Sequence, residues 1–280
     1  MAVLRIFSYL PNPRVWKATI AARMLGVEGE VVGDRPRALP GWLWDFDARP
    51  LEEAEKTPGN PHARASKRGF DAAMLYKTDA FLTAHPFGTV PAAFDPEGAT
   101  GVFESNSILR AVARAAAPER RQREQLAALG AAAGGLYGDG PYEAARIDSF
   151  LDAGLVFARE TQVYLLAVAA RKATQEMSDR MREAYTFYLD GIDSAAGRGS
   201  EGLAGPFSIA DIAFVCDFAQ FRREERMLDR LSHCGLEPVY RPDGHVRAHA
   251  HFDRLRRLPA FAADLDGYVL EAGTPERKSA

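Results

Sequence analysis

The spacing of apolar positions changes near residue 117. Before it, short apolar runs of strand length are interleaved with helical patterns. Residues 4–9 read as a strand, residues 15–25 as a helix stopped by Gly26, and residues 30–32 open a second strand. Residues 90–94 and 101–103 read as a hairpin across Asp95-Pro96-Glu97-Gly98. Residues 105–117 follow as a helix, with Ile108, Leu109, Val112 and Ala113 at helical spacing. The order is βαβ, then ββα. After residue 117 the patterns are helical throughout, over residues 144–168, 178–192, 208–221 and 252–270. Residues 118–123 read as the linker. The expectation is an α/β domain over residues 1–117 and an all-α domain over residues 118–280.

Residues 34–76 fit neither pattern. They hold Pro36, Pro40, Pro50, Pro58 and Pro61, a polar run through Lys67 and Arg68, and the string Trp42-Leu-Trp44-Asp-Phe46-Asp. A structureless loop of that length is rare inside a compact domain, and aromatics so dense point to packing. The segment is therefore expected to be an ordered excursion, partly a short helix. Trp42 and Trp44 are expected to contribute to a second-substrate pocket or a dimer contact.

Composition narrows the setting. The 280 residues are 47% apolar and 26% charged, as in an ordinary globular protein. A net charge of −3 with a pI near 6.1 gives no footprint for nucleic acid or for an anionic membrane. The apolar stretches are too short to span a bilayer, and the start lacks the features of a signal peptide. Two cysteines, Cys216 and Cys234, leave no room for a disulfide framework or a zinc cluster, so a cytoplasmic location is the default. Six lysines against 29 arginines, with abundant alanine, indicate GC-rich coding and a bacterial source. His245, His249 and His251 have no carboxylate fixed beside them, and no metal is expected there.

Two strings carry candidate chemistry: His85-Pro-Phe-Gly-Thr-Val-Pro91 and Phe103-Glu-Ser-Asn-Ser-Ile108. The Val90-Pro91 bond is a candidate cis peptide. Such a turn would leave the Val90 backbone free to pair with an extended peptide. Glu104 and Ser105 stand at a helix start, where free N–H groups and a hydroxyl can hold a carboxylate. The plainer alternative is that Ser105 caps its helix and Pro91 begins a strand. A third string, Gly205-Pro-Phe-Ser-Ile-Ala-Asp-Ile-Ala213, has Ser208 and Asp211 at capping-box spacing, with Phe207 and Ile212 placed for a hydrophobic staple. That is a folding device.

Taken together, these strings resemble the glutathione transferase superfamily. The first domain is then thioredoxin-like and the second is the helical domain of that family. The resemblance implies that the backbone at Val90 and cis-Pro91 pairs with the cysteinyl unit of glutathione, and that Glu104 and Ser105 hold its γ-glutamyl end. The third string resembles the S/T-x-x-D box of the family's buried helix. Residues 4–26 resemble the start of theta-like transferases, and still more that of the transferase-like domain of the eukaryotic elongation factor gamma subunit. Ala145-Arg-Ile-Asp-Ser-Phe-Leu151 is similar to a theta-like string whose Asp reaches across a dimer to the glutathione amino group, which nominates Asp148.

The chemistry required is thiol activation. A free thiol has a pKa of about 8.5, so only a few per cent is thiolate at pH 7. Lowering that pKa by about two units takes about 2.7 kcal/mol. The family places Tyr, Ser or Cys near the first helix's N-terminus to help. Here Asn12 stands where theta-like enzymes carry serine, and it can donate through its amide. Its alternative role is the N-cap of that helix. Ser8 is the second candidate donor, alternatively a structural strand residue. No cysteine lies near this loop, which disfavours the thiol-exchanging classes.

The resemblance thus implies a cytoplasmic, homodimeric glutathione transferase with glutathione as co-substrate, no metal, and no nucleic-acid or membrane partner. Its second substrate would be a small apolar or aromatic electrophile, and aryl-ether cleavage is one such reaction. The alternatives are a non-catalytic assembly or binding module, and a glutathione-dependent isomerase or dehalogenase.

Overall fold

The computed structural model describes residues 2–66, 70, 72–115 and 118–269. The chain packs as two compact units, Met1–Gln122 and Arg123–Ala280. The first has a thioredoxin-like framework and the second is helical.

In the first unit, β1 (Leu4–Tyr9) leads to α1 (Pro13–Leu25) and then to β2 (Gly29–Asp34). Asn12 caps α1 with Pro13 in the first turn, and Gly26 ends the helix at φ 69°, where glycine carries no Cβ penalty. Next come β3 (Trp42–Trp44), β4 (Arg49–Pro50), β5 (Ala63–Ala65) and β6 (Met74–Lys77), all within the segment that fitted no pattern. Then follow α2 (Asp79–Ala84), β7 (Ala92–Phe94), β8 (Gly101–Phe103) and α3 (Ser105–Ala115). The framework sheet has the order β2-β1-β7-β8, with β1 parallel to β2 and antiparallel to β7. The helix expected to reach Ala117 is described as far as Ala115; residues 116 and 117 lie outside the described residues.

The inserted segment forms a second sheet of order β4-β3-β6-β5, not the expected short helix; among its described residues the helical parts are single 3₁₀ turns at Leu39–Gly41 and Glu53–Glu55. Lys67 and Arg68 lie outside the described residues. Trp42 and Trp44 are buried in the core of this unit with Leu39, Phe7, Phe81 and Phe94, which corrects the expectation that they line a substrate pocket or a dimer contact. Trp44 meets Phe7 and Phe81 edge-to-face at 5.5 and 6.0 Å between ring centres, and its indole N–H donates to the Leu39 carbonyl at 3.1 Å. That geometry suits the ring quadrupoles and satisfies the one polar group of the indole.

The stretch read as a linker holds the boundary between the two units, after Gln122, and α4 (Arg120–Ala128) begins within it. Its residues are mostly straight-chain helix formers, with only Leu126 buried, so it lacks the repeated apolar spacing that marks a helix in sequence.

The second unit continues with α5 (Pro141–Ala169), α6 (Gln175–Ala196), α7 (Ile209–Phe221), α8 (Leu228–His233), α9 (Val246–Arg256) and α10 (Pro259–Leu265). Every residue of α7 is buried, with Asp211, Asp217 and Gln220 among mostly apolar neighbours, as suits a helix at the centre of a bundle. Ser208 and Asp211 form the expected capping box. Aromatic rings fill the space around α7: Phe157 stacks on Tyr188 at 4.9 Å and Phe218 meets Phe252 edge-on at 5.0 Å. Glu224 is buried among three donors, the Tyr164 hydroxyl and the N–H groups of Val239 and Tyr240, at 2.7–2.9 Å. A buried carboxylate survives because its oxygens are so paired. No helix among the described residues is long and apolar enough to cross a membrane.

Candidate functional site

The site is built around the turn between α2 and β7. Thr78 caps α2, accepting the Phe81 N–H at 3.0 Å, and His85 ends that helix. His85 is buried, and its ring lies flat on Phe103 at 4.7 Å. Its Nε2 accepts the Thr89 N–H at 3.2 Å, which assigns the ring proton to Nδ1. Burial lowers the pKa of this imidazole, and the nearby Lys77 charge acts in the same direction. Gly88 takes φ 56°, where a Cβ would press on Leu82 at 3.0 Å. Its carbonyl accepts from Lys77 Nζ at 2.6 Å. Burial also lowers the Lys77 pKa, and its ammonium sits 4.6 Å from the Trp44 ring centre.

Two residues later the Val90-Pro91 bond is cis. Ala92 then pairs with Phe7 on one side and Phe103 on the other. Continuing both registers by one residue sets Pro91 beside Ser8 and Glu104; one more sets Val90 beside Tyr9 and Ser105. Neither ladder extends that far. Among the described residues, the Val90 N–H and C=O take part in no backbone hydrogen bond. Their freedom leaves a short stretch of strand edge able to pair with an extended peptide.

Glu104 joins β8 to α3 at φ 66°, an uncommon conformation for a residue with a side chain and one that gathers at functional sites. Its carbonyl accepts the N–H groups of Ser107 and Ile108, while its side chain is exposed. Ser105 begins α3 and is 8% exposed. The first turn of α3 is fixed from below by Lys17 of α1, whose buried ammonium donates to Asn106 Oδ1 at 2.8 Å. This contact joins the first helix to the Phe103-to-Ile108 string.

At the start of α1, Ser8 and Asn12 have no exposed surface. Asn12 Oδ1 accepts the Arg14 N–H at 3.0 Å, the capping role, and its amide donates to Ser8 Oγ at 3.0 Å. Tyr9, the next hydroxyl along β1, is partly exposed. The first unit therefore gathers Ser8, Asn12, Val90, Pro91, Glu104 and Ser105. Asp148 belongs to the other unit, on α5, where it accepts the Tyr137 hydroxyl at 2.6 Å.

Two of the three histidines do have a carboxylate beside them, which corrects the expectation: His245 meets Asp190 at 3.0 Å and His251 meets Asp211 at 2.7 Å, while His249 meets the Pro242 carbonyl. No group of three potential ligands is found among the described residues. A cavity of about 390 Å³ lies apart from the site, against α1 and β2, lined by Leu4, Ile6, Ala18, Ala22 and Val112. The roles of Lys77 and Lys17 have no signature of their own in the sequence. His85 was visible inside its motif, but Lys77 sits next to no recognisable pattern.

No protein-family model matches the sequence, and no curated protein matches it. Solved structures do match. A glutathione transferase of Bombyx mori aligns over 96% of this chain and 95% of its own, with a TM-score of 0.59 at 17% identity. A glutathione transferase of Methylobacillus flagellatus, solved with glutathione bound, aligns over 93% and 98%, with a TM-score of 0.55 at 12% identity. A third, from Phanerochaete chrysosporium in complex with oxidised glutathione, aligns over 95% and 96%, with a TM-score of 0.56 at 16% identity. The chain has the glutathione transferase fold. At such identities the likeness concerns the fold, and the chemistry must be argued from the residues described above.

Proposed function

We propose that this protein binds glutathione and presents its thiolate to an electrophilic carbon of a small apolar or aromatic substrate. The observation that carries the reading is the unpaired Val90 backbone at a cis-proline turn, next to the start of α3. The cysteinyl unit pairs with Val90, and the γ-glutamyl carboxylate lies against Ser105 and the first N–H groups of α3, where the helix dipole favours an anion. Structures of this fold solved with glutathione support that ligand. Asp148, acting from a second copy in a homodimer, would hold the ligand's amino group. Calorimetric titration with glutathione tests the binding step; no heat of binding in the wild type would end this reading.

A second reading is a glutathione-binding or assembly module without turnover. The burial of Ser8 and Asn12, bonded to each other, favours it, because no side-chain donor of the pair is exposed to a sulfur. The ultraviolet absorbance of bound thiolate separates the two. Conjugation requires bound glutathione to titrate well below its free pKa and Asn12→Ala to raise that value. A bound thiol that titrates like the free one leaves the module.

A further inference from the structure

The peptide plane between Gly88 and Thr89 is gripped at both ends. Its carbonyl accepts from Lys77 Nζ at 2.6 Å, and its N–H donates to His85 Nε2 at 3.2 Å. Fixing that plane leaves few free torsions before the Val90 N–H. His85 belongs to the end of α2. Lys77 comes from elsewhere, the last residue of β6 in the inserted sheet.

Lys77 is itself held. Its backbone N–H donates to the His62 carbonyl at 2.8 Å, and β6 runs parallel to β3 with Trp44 opposite Lys77. The ammonium lies 4.6 Å from the Trp44 ring centre, and Trp44 is 1% exposed. A cation over an indole face and against a carbonyl is well placed on both counts. The next residue, Thr78, bonds Asp45 of the insertion at 2.9 Å while it caps α2. The inserted sheet therefore anchors both α2 and the turn that follows it.

We propose that Lys77 is a positioning residue for the peptide-pairing edge at Val90, and that the inserted sheet serves to set that edge. The positional claim stands on the geometry alone; its consequence for glutathione rests on the binding reading above.

The test is Lys77→Met, which keeps the length and removes the donor, beside Lys77→Arg, which restores charge and donors. Arg49→Gln, which breaks an exposed ion pair with Glu55 in the same segment, is the control. Amide hydrogen exchange at Thr89, whose N–H is held by His85, is read in the ligand-free protein. Exchange there should rise about ten-fold or more in Lys77→Met, be partly restored in Lys77→Arg, and stay at the wild-type rate in Arg49→Gln, as loss of a charge-assisted hydrogen bond implies. Glutathione affinity should weaken by about the same factor. Unchanged exchange at Thr89 overturns the proposal. A loosened turn with wild-type glutathione affinity overturns its functional half. If the wild type takes up no glutathione, the binding reading fails while exchange still decides the positional claim. Should Lys77→Met not fold, Lys77→Leu, which also lacks a donor, carries the same test.

Discussion

On one face of the sheet β2-β1-β7-β8 lie α1 and α3. The other face is covered by the inserted strands and their tryptophans. The helical cover is built from small and aliphatic residues, Ala18, Ala21, Ile108, Leu109 and Val112 among them. The inserted cover is aromatic: its Trp42 and Trp44 meet Phe7 and Phe94 of the sheet and Phe81 of α2. The first depends on side chains recurring along two helices of 13 and 11 residues. The second depends on strands of two to four residues brought together from distant parts of the chain. Each cover holds one arm of the candidate site. Lys17 of α1 fixes the first turn of α3, and Lys77 of the insertion fixes the cis-proline turn.

The sharpest way to break this comparison is to remove the aromatic cover. With Leu39, Trp42 and Trp44 in the core, deletion of residues 36–70 should prevent the first unit from folding. Trp44→Ala should cost about 3–5 kcal/mol, at least as much as Leu109→Ala on the helical face at about 2–5 kcal/mol. Denaturant titration reads both. A loss below about 1 kcal/mol for Trp44→Ala would reduce the insertion to an appendage.

The next effect falls on the α3 arm. Ser105→Ala should weaken glutathione by about 1–3 kcal/mol, the cost of a hydrogen bond to a charged group. Calorimetry with wild-type affinity would move the carboxylate elsewhere. Smaller still, Asn12→Ala should lower stability by about 0.5–2 kcal/mol through loss of its cap. No loss of stability would mean that the Arg14 N–H finds another partner when Asn12 is removed.

The helical face was largely legible because periodicity over three turns is a strong signal, and β1, α1, α3, α5 and α7 stand within a few residues of where the pattern puts them. The insertion was not, because strands of two to four residues are too short to show a period; only Trp42-Leu-Trp44 hints at alternation, and it does so by burying both rings. The helix α4 was not legible because it buries a single apolar residue. At the site, the cis bond and the Glu104-Ser105 corner were suggested by a motif whose members lie close in sequence. Lys77 was out of reach, because its role depends on Trp44, which is 33 residues earlier in the chain, and on the fold that joins them.

The smallest predicted effect concerns pH, and it separates the two units. His85 in the first and His249 in the second are both held below the ordinary imidazole pKa, in each case by burial first. The folded chain resists protonating either ring, whereas the unfolded chain takes up a proton below about pH 6.5. Each group's stabilisation is therefore complete above that pH and is lost as the pH falls toward the lowered folded value. A melting curve of the whole protein adds both contributions. His85→Asn should make the decline in Tm between pH 7 and pH 5 shallower without removing it, and His249→Asn should remove a further part. Exchange at the Thr89 amide assigns the share of the first unit, since protonation of Nε2 takes away its acceptor. In the wild type that amide should exchange faster than its neighbours' pH trend as the pH falls, and His249→Asn should leave this unchanged. If His85→Asn melted with the wild-type pH slope, His85 would not be a buried neutral ring, and one of the two grips on the Gly88-Thr89 peptide would be lost.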